Sequence, residues 1–219
     1  MFLALLRPRR IVTMAVAFVA LLVALDFGAR FAAEGELANR AKAATHAQGS
    51  SASIGGFPFL WKLLAEGNVS SLDVQLSGVP VGTLELQSVD VHLTGTSINR
   101  TALFSHRQVQ VASIEEASAT VTVTAAELSS AIGQTVVIPG DGQIDVEVAG
   151  RQVPATVEVS GGHSLVVIVG GVTLLSSDLT QSPLVPQCGL SLLILTGAVS
   201  VSCQVSPVPA TLVQVLAGA

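Results

Sequence analysis

The spacing of hydrophobic residues changes character once along this chain. From Ile11 to Leu25 the sequence is apolar except for Thr13, with arginines before the run and Asp26 after it. At about 15 residues, the run is shorter than the roughly 20 that cross a bilayer comfortably, and closer in length to a signal-peptide core. No clean small-x-small cleavage site follows, because Asp26, Phe27 and Arg30 interrupt the region. A cleaved signal peptide and an uncleaved signal anchor over residues 1–26 therefore both remain open. The anchor is favoured because the next residues continue a helical pattern. Arg7, Arg9 and Arg10 place the N-terminus on the inner side of the membrane and everything after Asp26 on the outer side.

A helix is expected over 27–48. Phe27, Phe31, Leu37, Ala38, Ala41 and Ala44 fall on one face at about 100° per residue, with Glu34 as the discordant member. Beyond Ser51 the period becomes two. Leu72, Val74 and Leu76 alternate with polar residues, and Leu84 and Leu86 follow a glycine turn. Val89, Val91 and Leu93 then alternate out of phase, which predicts a β-bulge near Gln87-Ser88. Ala117, Ala119, Val121 and Val123 mark another strand. Thr124 and Glu127 have the capping-box spacing, so a short helix over 125–132 is expected, with Gly133 as its stop. Further strands follow. Leu165–Val169 and Leu190–Leu195 read as runs buried on both faces. The expected fold is α+β and mostly antiparallel: a long curved sheet packed around the N-terminal helix, with residues 27–219 forming one β-rich domain.

Charge and composition narrow the function classes. Half of the 219 residues are hydrophobic, 11% are charged, and there is no Tyr. The ten Lys and Arg include the three N-terminal arginines, so from Asp26 onward seven basic residues face all fifteen acids, a formal charge of −8. Nucleic-acid binding needs a basic footprint and is disfavoured. Catalytic signatures are absent as well. The four histidines have no metal-ligand spacing, there is no G-x-S-x-G elbow or phosphate-binding glycine loop, and Glu115-Glu116 point to opposite faces of a strand. No enzyme, metal or cofactor is expected.

Two cysteines flank the Leu190–Val205 hairpin. A turn at Thr196-Gly197 makes Cys188 and Cys203 near-diagonal neighbours, and outside the cell their pairing is favoured over two buried thiols. Arg100, His106 and Arg107 concentrate positive charge in an acidic body and are candidate head-group contacts, with a solvated loop as the plainer reading.

Gly55-Gly56-Phe57-Pro58-Phe59-Leu60-Trp61 gathers three of the chain's eight aromatic residues. The glycines free the backbone and Pro58 stiffens it, giving a rigid corner that carries large apolar side chains. The corner is expected where the helical period gives way to the strand period. Ser53-Ile54-Gly55-Gly56-Phe57-Pro58-Phe59-Leu60, after a helix containing Ala33-Glu34, resembles the LmeA-like phospholipid-binding proteins of actinobacterial cell envelopes. Ala125-Ala126-Glu127-Leu128 and Pro186-Gln187-Cys188-Gly189-Leu190 extend the resemblance along the chain. Leu184-Val185-Pro186 departs from it, lacking the phenylalanine of the family's L-P-F triplet. The resemblance implies a tubular lipid-binding architecture, a phospholipid ligand of the phosphatidylinositol type, and support for the assembly of mannan-containing glycolipids. Phe57, Phe59, Leu60 and Trp61 are then the candidate lipid contacts, with packing of the core as the other role for this motif. An envelope scaffold that binds a membrane glycosyltransferase is the competing expectation.

Overall fold

The computed structural model describes residues 8–102, 111–140, 142–179 and 188–208. One helix, α1 (Pro8–Thr45), runs through the boundary expected at residue 26 without interruption. It ends three residues before the expected limit. His46 takes a left-handed φ of 55°, and the Gln48 N–H is drawn to the carbonyl of Ser77.

The strands divide between two antiparallel sheets. The first contains β1 (Gly49–Gly55), β2 (Asn68–Val81), β3 (Leu84–Ile98), β4 (Val111–Ser113) and β5 (Glu116–Thr124), with β11 (Ser191–Leu195) and β12 (Ala198–Val205). Its order is β1-β2-β3-β5-β12-β11, and β4 pairs with the end of β3. Between β5 and β11 the chain makes α3 (Ala125–Ile132) and the whole second sheet. The members of that sheet are β6 (Val136–Gly140), β7 (Gln143–Val148), β8 (Arg151–Ser160), β9 (Ser164–Val169) and β10 (Val172–Asp178), stacked in sequence order. The α+β, antiparallel class expected from the pattern is the class observed.

Local chemistry explains these elements. Thr124 and Glu127 form the reciprocal capping box at α3, and Gly133, with φ 74°, ends the helix. The two-residue loops Ala149-Gly150 and Gly170-Gly171 have positive φ at both positions, the type I′ geometry that matches strand twist. Cys188 and Cys203 are bonded.

The first sheet has one apolar and one polar face, set by cross-strand register. Ile54, Leu72, Leu93, Ala117 and Val205 align in one row across five strands. Val74, Val91, Ala119 and Cys203 form the next, and Leu76, Val89, Val121 and Val201 a third. The reverse face carries rows such as Asp73, His92, Ser118 and Gln204. The third apolar row is fully buried, joining Leu128 of α3 and Leu165 and Val167 of the second sheet in one core.

Two expectations are corrected. No bulge interrupts Gln87-Ser88: β2 and β3 keep one register from Asn68↔Ser97 to Val81↔Leu84. The phase change belongs to Gly78, whose φ of 62° turns the ribbon so that Val79, Val81, Leu84 and Leu86 enter the core beyond it. Leu165–Val169 is buried on both faces, apart from half-buried Ile168, but Ser191–Leu195 is not. The latter is an edge strand, and Leu193 and Leu195 on its outer face are exposed.

The disulfide closes a loop of 15 residues. Replacing Cys188 and Cys203 by serine lowers the unfolding free energy by about 3 kcal/mol on the chain-entropy account. Denaturant titration of the two forms measures this, and alkylation of the native protein without reductant labels neither cysteine.

Candidate functional site

The aromatic corner does not sit directly at the helix-to-strand junction, because β1 intervenes. It leaves the end of β1 and enters α2 (Phe59–Trp61), which continues into a single π-helical turn, Lys62–Glu66. Gly55 and Gly56 allow this exit. A methyl group at Gly55 would run into Ser71 Oγ, and Gly56 has φ 101° beside Ser70. The chain therefore turns tightly over β2 and directs α2 back against α1.

Asp26 makes the connection. Its carboxylate accepts from the Phe59 N–H at 3.0 Å and the Leu60 N–H at 2.6 Å, capping the first turn of α2. Asp26 is the buried charged residue among the described residues, and two charge-assisted hydrogen bonds offset part of its desolvation. Eight residues further along α1, the Glu34 carboxylate accepts from Arg30 and from the Ile54 N–H, each at 2.8 Å. Glu34 thus satisfies a donor on the open edge of β1.

These contacts change which residues of the expected face are covered. Leu37, Ala38 and Ala41 lie on the packed side as expected, but Asp26, Arg30, Glu34 and Thr45 share it. Phe27 and Phe31, assigned by periodicity to the core face, are 56% and 79% exposed, and Ala44 is exposed too. The physical reason is that each polar group on the packed side has a partner there, including the Thr45 hydroxyl, which donates to the Ala41 carbonyl. Glu34, discordant in the sequence pattern, is a contact residue.

The aromatic motif splits in the same way. Phe59 is 7% exposed and packs inside, whereas Phe57 and Trp61 are 59% and 64% exposed. Leu60 is half-buried. Phe57 stacks on Phe27 with ring centroids 6.1 Å apart. Arg100 reaches the same end of the molecule, where its guanidinium donates to the Ala65 carbonyl and its stem lies over Gly67. Lys62 is nearby, donating to Ser70 Oγ at 2.8 Å. The structure thus gathers the aromatic motif and one of the three basic candidates. His106 and Arg107 lie outside the described residues. Asp26 and Phe27 join the site only through the tertiary fold, whereas Lys62 directly follows the motif in sequence; the one sequence signal for Asp26 is a carboxylate placed directly after an apolar run.

α1 is long and apolar enough over Val12–Thr45 to cross a membrane by length and composition. Among the described residues no three His, Cys, Asp or Glu side chains gather as metal ligands would. Residues 24–214 match the model of the LmeA-like phospholipid-binding family, nearly the whole chain. No curated protein and no solved structure matches it.

Two substitution series separate packing from surface roles. Phe59→Ala costs about 3–5 kcal/mol of unfolding free energy, while Phe57→Ser and Trp61→Ser each change it by no more than about 0.5 kcal/mol. Asp26→Ala leaves two amide donors without their acceptor and costs about 2–4 kcal/mol, with Asp26→Asn losing less. Circular-dichroism denaturation of each variant measures both series.

Proposed function

The chain belongs to the LmeA-like phospholipid-binding family, and from that premise we propose that it holds phospholipid at a cell-envelope membrane, with acyl chain against the apolar face of its first sheet. The observation that carries this reading is the uneven covering of that face. Its third row is sealed by the second sheet, whereas Leu72, Val74, Val91 and Leu93 in the first two rows are only partly buried. Beside them Ala117 and Ala119 of β5 are small and buried, Ala117 in a second cluster with Ile114 and Val208, so the partly covered positions are those of β2 and β3. The disulfide supports a non-cytoplasmic domain, and α1 supports attachment to the membrane. The arginines before the apolar run support an N-terminus on the cytoplasmic side, with residues 27–219 outside.

In this reading the action is non-enzymatic. Phe57, Leu60 and Trp61 line the approach to the lipid, and Phe59 keeps them in place from the core. Arg100, with Lys62 beside it, offers the phosphate of the head group a bidentate fork and a second positive charge. His106 and Arg107 are proposed as further head-group partners. A phosphatidylinositol-type ligand, presented for the assembly of mannan-containing glycolipids, is the finer form of the proposal. A second reading has its own observation. The exposed Leu193 and Leu195 on edge strand β11 suit a protein partner such as a membrane glycosyltransferase, added along the sheet edge.

Native mass spectrometry and lipid extraction of the detergent-purified full chain test the first reading. The expected result is a retained phospholipid, reduced about tenfold or more in Val91→Asn/Leu93→Asn, since each large apolar contact is worth about 1.5–3 kcal/mol. Recovery of no phospholipid, with cell cross-linking through β11 to a single protein, supports the scaffold instead.

A further inference from the structure

The exposed aromatic groups and the length of the apolar run form one argument. From Ile11, the first residue after the arginines, to Leu25 the helix rises about 22 Å at ~1.5 Å per residue. A hydrocarbon core is about 30 Å thick, so the run falls short by about 8 Å. About five or six further residues of α1 cover that distance, and they are Asp26 to Phe31.

This is where α1 reverses the usual arrangement of a surface helix. It turns Phe27 and Phe31 outward and turns Asp26 and Arg30 inward against the domain. Phe57 just before α2, Trp61 on α2 and Leu64 on the π turn are exposed, and Phe57 is stacked on Phe27. The charged groups at this level are already matched: Asp26 by two backbone N–H groups, and Arg30 by Glu34. An unmatched carboxylate would oppose entry into the membrane, but a carboxylate whose hydrogen bonds come from the domain itself can be carried into the interfacial zone. Lys62 and Arg100 are held close to this turn, Lys62 donating to Ser70 Oγ and Arg100 to the Ala65 carbonyl of the π turn.

We propose that Phe27, Phe31, Phe57, Trp61 and Leu64 form a collar that sinks into the interfacial layer of the membrane α1 enters, so that the tip of the domain completes a span too short by itself. The occupant of this apolar surface is therefore the lipid leaflet. Aromatic rings, which pair an apolar body with a polarisable face or N–H, are the side chains favoured at that depth. The inference rests on α1 residing in a membrane, and it is separable from lipid held on the sheet.

Trp61 is the chain's one tryptophan, and there is no tyrosine. Intrinsic fluorescence therefore reports on the collar directly. The test reconstitutes the full chain in phosphatidylcholine vesicles containing brominated phosphatidylcholine, and measures quenching by the bromolipid and by aqueous iodide. The expected result is bromolipid quenching that rises with its mole fraction, and iodide quenching lowered on the order of twofold relative to a free tryptophan analogue. Because the collar compensates for a short span, protection from iodide grows from thin dimyristoleoyl to thick dierucoyl bilayers. Full iodide access in both bilayers without bromolipid quenching overturns the proposal: the membrane then thins around the run and the domain stays in water. Quenching that saturates at one bromolipid per chain, with iodide access unchanged, also overturns it and points to lipid held on the sheet. Lipid extraction from the same sample keeps the two readings apart. An immersed Trp61 with no retained phospholipid sustains the collar and removes the lipid-holding function.

Discussion

The Asp26 carboxylate and the Phe59 and Leu60 amides constrain more of this molecule than any other contact. They fix a point on a long, otherwise apolar helix against a short turn that itself cannot move, because Gly55 and Gly56 press it onto β2. A rotation of α1 by one residue, about 100°, would carry the carboxylate away from both donors and leave a charge and two amides unsatisfied. Glu34 repeats the constraint at the edge of β1 with the Ile54 N–H. With two such points along one stripe, rotation and translation of α1 are both set. Phe27 and Phe31 lie on the flank of the same broad face, and they are exposed because at their level the domain meets α1 on the side of Asp26 and Arg30. The polar residues of α1 decide which apolar residues face out.

A second constraint shapes the sheet. Its five-strand rows place Ile54, Leu72, Leu93 and Ala117 level with one another, so side-chain size at one register position sets the depth of the apolar face there. β5 contributes alanines in the first two rows and valines in the next two. The valine rows are closed by the second sheet, whereas Ala117 packs in a separate cluster with Ile114 and Val208. The disulfide joins β12 at the second row through Cys203, tying the approach to β11 onto the alanine end of the face. The same strands thus join the main core at one end and, at the other, carry the partly buried Leu72, Val74, Val91 and Leu93 near a second small cluster of Ile114, Ala117 and Val208, with no change of register between them.

Much of this was legible in the sequence wherever the determining interaction was local. Alternation located the strands of both sheets. Thr124 and Glu127 fixed the start of α3, and the spacing of Cys188 and Cys203 about a turn made them neighbours. The failures have a common cause in partners distant in sequence. Periodicity places Phe27 and Phe31 inside and makes Glu34 discordant, because the pattern counts a carboxylate as a surface residue whatever donates to it. The donors that justify Asp26 and Glu34 are 33 and 20 residues away. Leu190–Leu195 read as doubly buried because a run of leucines does not reveal that its strand is the last of the sheet. A bulge was inferred from a phase change that one left-handed glycine, Gly78, produces without an extra residue. The candidate site was half legible. Its aromatic motif stood out, but its meeting with Arg100 depends on the return of β3 past the π turn.

The unbroken course of α1 bears on how such a protein would handle lipid. The helix continues from the apolar run into the contact with β1 with no proline after Pro8, and Asp26 secures the domain at the point where the run ends. A domain on a flexible linker samples a wide zone above a membrane, whereas one built on a continuous helix is held at a fixed height and tilt relative to it. On the proposed reading, the partly buried part of the sheet face, Lys62, Arg100 and the outward aromatics all lie toward the end that α1 ties to the bilayer. A lipid entering the face would then need to rise only partly out of its leaflet, with its phosphate met by arginine as its chain met the sheet. That arrangement favours local extraction and presentation over carriage across a distance, because the interaction that builds the site also prevents it from leaving the membrane surface.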